Sequence, residues 1–279
     1  MFNYIITIHN KQDLLARVLE GVASCCSMQS KIIPVLDGCT DRSEAIVDEF
    51  IARSGLNVEK VITPNVYELR AINAGMVRVT EGFIMTIQDD VILQEPELEQ
   101  KIESLFAETG PMLGIVSPRH AVNVRRMPLL RQLRFSGLVP AMDFYDRVCR
   151  PPEAWEQSVR VEYGQLVYRM AAVGSPLIIP EALWRELGPL DEMMAPHMYF
   201  DVEYSLRALR VGFQNVVFPL HFESKPEWGT SRKNTTEDPQ WSAGLSRVTL
   251  RNLRYLWQIH GSAVSAYHAT QGRHTRTLF

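Results

Sequence analysis

Cysteine is scarce in this chain. The four present among 279 residues (Cys25, Cys26, Cys39 and Cys149) show neither paired-disulfide nor metal-ligand spacing. That excludes a disulfide-built scaffold and fits free thiols in a reducing compartment. Long apolar runs are missing too: none approaches the ~18 residues that a membrane-crossing helix needs. The opening Met1-Phe2-Asn3-Tyr4 has neither the charged nor the apolar region of a signal peptide. A cytoplasmic location is therefore expected, and the sequon at Asn234-Thr235-Thr236 is read as incidental. Excess positive charge is also lacking. Lys and Arg number 29 against 32 Asp and Glu, a net charge of −3, so bulk attraction to nucleic acid is excluded. The sequence holds no internal repeat and no low-complexity tract. What remains is 46% hydrophobic and 22% charged, a balance that buries a sizeable core.

The first ninety residues alternate short β-branched runs with helical patterns. Tyr4 to Ile8 reads as a buried strand, after which Asn10 is expected to cap a helix carrying Leu14, Leu15, Val18, Leu19 and Val22. Lys31 to Leu36 reads as a second strand ending at Asp37-Gly38. Asp41 and Glu44 are spaced as a capping box for the next helix, which carries Ile46, Val47, Phe50 and Ile51. Val58 to Thr63 is a third strand candidate, and Leu69, Ile72 and Met76 mark a third helix. Phe83 to Ile87 is a further strand, halted by Gln88-Asp89-Asp90. Strands and helices in alternation build a parallel sheet covered on both faces, and ligands on such sheets lie beyond the carboxyl ends of the strands. Asp37, Asp89 and Asp90 all fall at those ends.

Residues 119–160 lack a clean period and hold eight arginines, no lysine and four acids, and they read as a functional loop or lid. Order returns with a strand over Val173 to Ile179, a helix between Pro180 and Gly188, a second from Asp201 to Arg210, and a short strand from Asn215 to Phe218.

Each acid has a plain reading. Asp89 and Asp90 serve as solvated loop acids, Asp37-Gly38 as a turn, and Asp201 and Glu203 as first-turn acids favoured by the helix dipole. Their joint placement has a sharper one, because carboxylate oxygens suit Mg2+ or Mn2+ completed by phosphate oxygens.

Taken with their neighbours, these residues resemble the inverting glycosyltransferases of family 2, which have the GT-A type fold. Ile5 to Asn10 is similar to that family's first strand and turn. Val35-Leu36-Asp37-Gly38-Cys39-Thr40-Asp41-Arg42-Ser43 resembles its V-D-D-G-S-T-D-x-S motif. Arg70 to Gly75 resembles the A-x-N-x-G helix, and Gly82 to Asp90 the G-x-x-I-x-x-x-D-x-D strand. Gly188 to Glu192 followed by Phe200 to Arg207 resembles the distal G-x-F-D-E and E-D-x-D-L-x-x-R segments. The likeness covers residues 3–100 well and 170–222 moderately.

The resemblance implies an α/β fold with a Rossmann-like, mostly parallel central sheet flanked by helices. It implies transfer of one sugar from a UDP-, GDP- or dTDP-linked donor to a saccharide or lipid-linked acceptor, with Mg2+ or Mn2+ as cofactor. Asp37 would then meet the nucleotide base, Asp89 the ribose or a metal-bound water, and Asp90 the metal, with Thr7 and Arg70 as further donor-site residues. Asp201 would be the general base, with Glu203 next and Asp191 and Glu192 last, and His221 would supply a further metal ligand. Three positions depart from the pattern: Leu36 replaces the first acid, Gln88-Asp89-Asp90 is compressed, and Phe200 stands where the family has Glu.

Two rivals remain. One is a non-catalytic binding protein of the same fold, the other a nucleotidyltransferase, which needs a Gly-rich basic loop where Thr7-Ile8-His9-Asn10 has no glycine. The expected organisation is a catalytic domain over 1–238, with a donor half 1–118 and an acceptor half 119–238, and a basic helical extension over 239–279. From Pro239 onward there are five arginines and no acid. Arg247, Arg251 and Arg254 share one helical stripe, opposite Leu245, Val248, Leu256 and Ile259. That helix either packs on the domain or lies peripherally on an anionic inner membrane face. Arg119, Arg125 and Arg126 are read as solvated lid arginines or diphosphate contacts, and Trp155 and Trp228 as core or sugar-stacking residues.

Overall fold

The structure, a computed structural model, describes residues 1–153, 157–229, 239–271 and 277–278. Trp155 and the sequon lie outside the described residues. The first part of the chain runs β1 (Phe2–Ile8), α1 (Leu15–Cys25), β2 (Lys31–Asp37), α2 (Ser43–Ser54), β3 (Asn57–Val58), β4 (Val61–Thr63), α3 (Glu68–Met76), β5 (Phe83–Gln88), β6 (Ile92–Leu93), α4 (Leu98–Thr109) and β7 (Leu113–Ser117). The second half starts with β8 (His120–Arg126), a short α5 (Leu129–Arg131), β9 (Met142–Cys149), β10 (Val159–Arg160), β11 (Leu166–Tyr168), β12 (Ala171–Val173) and β13 (Leu177–Ile179). It continues through α6 (Glu181–Leu187), α7 (Phe200–Arg210), β14 (Gln214–Val217), β15 (Phe222–Glu223), α8 (Pro239–Gln271) and β16 (Thr277–Leu278).

Ten strands form the central sheet in the order β16-β11-β14-β7-β13-β5-β1-β2-β3, with β4 also on β2. β5, β1 and β2 run parallel, and so do β14 and β7, while β13 is antiparallel to both of its neighbours. Alternate side chains of β1 face opposite sides, as strand geometry requires. Ile5 joins the core under α3, α6, α7 and α8, whereas Tyr4, Ile6 and Ile8 join the core under α1, α2 and α4. The register sets Thr7 opposite Gln88 and Ile8 opposite Leu36. The acids that follow β2 and β5 therefore emerge side by side at one edge.

Four local expectations are corrected. Asn10 does not cap α1; it takes a positive φ of 49°, and its side-chain oxygen accepts N–H donation from Thr40 at 2.8 Å, tying the first turn to the second. The capping box does not close, because Glu44 pairs with Lys60 while Asp41 accepts from the N–H groups of Ser43 and Gln12. The third strand divides at Glu59-Lys60 into β3 and β4. The expected lid over 119–160 is instead largely a second, four-stranded sheet, β10-β9-β8-β12. Ala121, Val122, Val124, Met142 and Val148 are buried in it, and Arg119 is buried as well, paired with Glu153 and donating to the Ser175 carbonyl. β8 pairs with β9 on one side and with the distant β12 on the other, and no clean local period announces these strands.

α8 packs into the same core as the sheet through Leu253, Leu256 and Val264. Arg247 and Arg251 are exposed, and Arg251 donates to the Ala195 carbonyl. Among the described residues no helix is long and apolar enough to cross a membrane.

Candidate active site

The site grows from the ends of β1, β2 and β5. Asp37 closes β2 and is 4% exposed. Its carboxylate accepts from the Thr63 hydroxyl at 2.8 Å and from the backbone N–H groups of Val66 at 2.6 Å and Tyr67 at 2.8 Å. It thus fixes the loop that leads into α3, leaving about one lone pair of a carboxylate's four. Gly38 follows at φ 61°, and a Cβ there would lie 2.4 Å from that of Asn65, so only glycine lets the two turns meet.

Asp89 accepts from the His9 backbone N–H at 2.9 Å and pairs with the Lys11 ammonium at 3.3 Å. Lys11 also donates to the Trp228 carbonyl at 2.8 Å. Burial pushes the Asp89 carboxyl up to about 6, against the pull of Lys11 and the His9 N–H. Asp90 differs. Its Oδ1 is buried with no hydrogen-bond partner among the described residues. An unsatisfied buried carboxylate oxygen is costly, and such an atom fits a cation held by this residue.

Glu68 opens α3 and was not singled out in the sequence, where it reads as an ordinary first-turn acid. The Gln88 amide donates to it at 2.5 Å. Burial pushes its carboxyl up to about 7, the Gln88 bond opposes this, and the charges of Asp201, Asp90 and Asp89 add to it. Asp89, Asp90 and Asp201 therefore lie close enough to Glu68 for their charges to act on it, and the four mark the candidate cleft. They are not gathered as a ligand cage: among the described residues no three His, Cys, Asp or Glu side chains cluster closely enough to hold a metal ion. A Mg2+ or Mn2+ ion needs only one or two protein carboxylates when phosphate and water complete its shell, and Asp90 with Asp89 fits that use.

Asp201 sits in the first turn of α7. It accepts from the Gly174 N–H at 2.9 Å and the Val202 N–H at 2.8 Å, and burial raises its carboxyl above the ordinary range against those two bonds. The other acids of this segment are engaged elsewhere. Glu203, 1% exposed, lies between Arg207 at 3.0 Å and the His260 ring at 3.2 Å. Asp191 accepts from the Tyr255 hydroxyl at 2.7 Å, and Glu192 pairs with Arg70 at 3.0 Å. Arg70 is thus on the exposed outer face of α3, while Thr7 is 9% exposed within β1.

His221 is not brought to Asp89 and Asp90. Its ring stacks on Tyr163 with centroids 3.9 Å apart, and the two line a groove with Glu95, Lys101 and Tyr168 that none of the four cleft acids borders. The Asn73 side chain exchanges two hydrogen bonds with Leu190, at 3.0 and 2.9 Å, which joins α3 to the segment before α7.

A sheet of this order, covered by helices and carrying acids at the ends of β2 and β5, defines a GT-A type α/β fold. The chain belongs to Glycosyl transferase family 2, whose profile matches residues 4–149. Over 104 residues it is 32% identical to the undecaprenyl-phosphate 4-deoxy-4-formamido-L-arabinose transferase of Edwardsiella ictaluri (strain 93-146). That match covers 36% of this chain and about a third, 32%, of that curated relative's length. Among solved structures, S. aureus TarS 1-349 in complex with UDP aligns with a TM-score of 0.53 at 14% identity, over 78% of this chain and 57% of that one. The mannosyltransferase PcManGT from Pyrobaculum calidifontis, in complex with GDP-Man and Mn2+, also aligns with a TM-score of 0.53 at 14% identity, over 96% and 75%. At such identities these two likenesses carry the fold alone.

Proposed function

We propose that this chain transfers a single sugar, of the hexosyl class, from a nucleoside-diphosphate sugar to an acceptor hydroxyl with inversion at the anomeric carbon. The acceptor is a saccharide or a lipid-linked saccharide, and the product enters polysaccharide or glycolipid synthesis in the cytoplasm or at the inner face of a membrane. The observation that carries the reading is that Asp89, Asp90 and Asp201 lie within electrostatic reach of Glu68, with Asp89 and Asp90 just past the carboxyl end of β5, in a family 2 chain.

Asp37 shapes the loop against which the nucleotide base rests, and Thr7 lies on the same edge. Asp90, with Asp89 beside it, would hold Mg2+ or Mn2+, which when bound neutralises charge on the departing diphosphate. Lys11 keeps Asp89 ionised and oriented. Asp201 accepts the acceptor hydroxyl's proton as that oxygen attacks opposite the leaving group. Its two N–H donors oppose the effect of burial, and among the described residues no ion pair engages it as Arg207 and His260 engage Glu203.

Incubation of the purified chain with UDP-, GDP- and dTDP-linked sugars and Mn2+ tests this reading, scored by nucleoside diphosphate release with and without acceptor sugars. Asp201→Asn is expected to cut transfer by ~10²–10⁴-fold with donor affinity nearly unchanged. Near-wild-type transfer in that variant removes Asp201 as the base. Donor binding without any release of diphosphate by the wild type would favour the non-catalytic alternative.

A further inference from the structure

We propose that the tip of the β8–β9 hairpin is an adsorption site for an anionic lipid bilayer. Between the two strands, residues 128–139 protrude from a closed neck. Met127 N–H donates to the Ala141 carbonyl at 2.8 Å, and Gln132, 3% exposed, donates its side-chain amide to the Met127 carbonyl. Beyond the neck apolar packing stops. Leu129, Leu130, Leu133, Phe135 and Leu138 are 65%, 84%, 54%, 53% and 82% exposed. Soluble surfaces scatter such residues singly; a run of five within a dozen positions is a contact surface.

The charges select the occupant. Arg126, Arg131 and Arg134 interleave with the apolar side chains, and no acid occurs from residue 119 through residue 142. Arg131 and Arg125 meet Asp143, at 2.6 and 3.5 Å. Arg126 and Arg134 have no carboxylate partner among the described residues. A second copy docked tip to tip would set arginine against arginine. An anionic bilayer meets both halves of the pattern, taking the leucines below the headgroups while the guanidinium groups stay among the phosphates.

The base of the same hairpin adjoins the acceptor segment, since the Phe144 ring packs 4.9 Å from that of Tyr199, two residues before Asp201. Adsorption at the tip would therefore turn the Asp201 edge of the cleft toward the membrane. That consequence rests on the proposed role of Asp201; the adsorption itself does not. α8 is less suited, because its buried leucines and Arg251 are committed to the fold.

The test is flotation of the full chain with vesicles of three parts phosphatidylcholine to one part phosphatidylglycerol, in low and high salt, beside pure phosphatidylcholine. The wild type is expected to float with the anionic vesicles at low salt. Leu130→Glu/Leu138→Glu and Arg131→Gln/Arg134→Gln are each expected to lower the bound fraction by about tenfold or more. Both variants should keep the wild-type melting temperature and the wild-type rate on a soluble acceptor. Absence of wild-type flotation overturns the proposal, as does unchanged flotation of both variants. It is also overturned if Arg247→Gln abolishes flotation while the tip variants still float, which assigns the contact to α8. Dimerisation at high concentration that Leu130→Glu/Leu138→Glu abolishes, without vesicle binding by the wild type, assigns the surface to a second copy instead. Loss of all transferase activity with flotation intact would strike the proposed function and leave this site standing.

Discussion

Asp201 and Glu203 stand two positions apart on α7, and their surroundings give them different chemistry. Glu203 is locked between two cationic or ionisable partners and stitches α7 to α8. Among the described residues Asp201 accepts from backbone N–H groups alone, and with Asp89 and Asp90 it lies within electrostatic reach of Glu68. Of those, Glu68 has the most legible titration. Its carboxyl is raised by burial from 4.5 to about 7, so the folded state binds the proton more tightly than the unfolded chain does. This favourable contribution to folding is complete below about pH 4.5 and is lost as pH rises through 7. In metal-free buffer, Glu68→Gln is therefore expected to raise the melting temperature by about 3–6 °C at pH 8 and to change it little at pH 5. Differential scanning calorimetry at the two pH values checks this; a variant less stable than wild type at pH 8 would show that the Gln88 bond outweighs the buried charge. In the wild type, transfer should fall as pH drops below 7 and then 6, because Glu68 and Asp89 protonate in that order.

The elements differ in how openly the sequence announces them. β1, α1, β2, α3 and β5 are carried by local periodicity, and their terminal acids follow at once. The β8–β9 hairpin is not, because its arginine-rich strands lack a clean alternation and β8 completes its pairing with the distant β12. α8 shows its helical period but not its role. Asn252, fully buried on it, turns its side-chain amide to the carbonyls of Met194, His197 and Met198 at 2.9, 3.0 and 2.9 Å. Tyr255 adds its bond to Asp191. Asn252, with Tyr255 and Arg251, thus holds the loop that leads into Asp201, and nothing in an asparagine among leucines signals that. Asn252→Ala would strip those carbonyls of their donor, at a cost of about 1–3 kcal/mol in stability. With the loop loosened, kcat is expected to fall roughly ten- to a hundred-fold while the donor KM stays near wild type. Steady-state kinetics beside thermal unfolding checks the split; a rise in donor KM with kcat unchanged would place the loop on the donor side.

For the whole molecule, the proposed donor site and the stability of the fold share the same strands. β1, β2 and β5 are adjacent interior strands of the ten-stranded sheet, and the loops proposed to cradle a nucleotide spring directly from them. A nucleoside diphosphate bound there is bound to the native state alone, so it stabilises the chain by mass action, about 2.7 kcal/mol at a hundredfold excess over Kd. That corresponds to a rise of about 5–10 °C in melting temperature for a chain of this size. On the proposed function, the buried Asp90 Oδ1, unpartnered among the described residues, would make part of this rise dependent on metal, since a cation held there would satisfy that oxygen and add charge for the diphosphate. Thermal shift with UDP, GDP and dTDP, each with and without Mn2+, is expected to single out one nucleotide with a larger rise when metal is present. Asp90→Asn should keep the metal-free rise and lose the Mn2+ increment, because an amide is a poor ligand for a hard cation. Asp37→Ala should lose both, because the loop from Thr63 to Tyr67 is held by its carboxylate. Equal shifts with and without Mn2+ in the wild type would take the metal out of the donor complex and leave Asp90 as a strained acid of the fold.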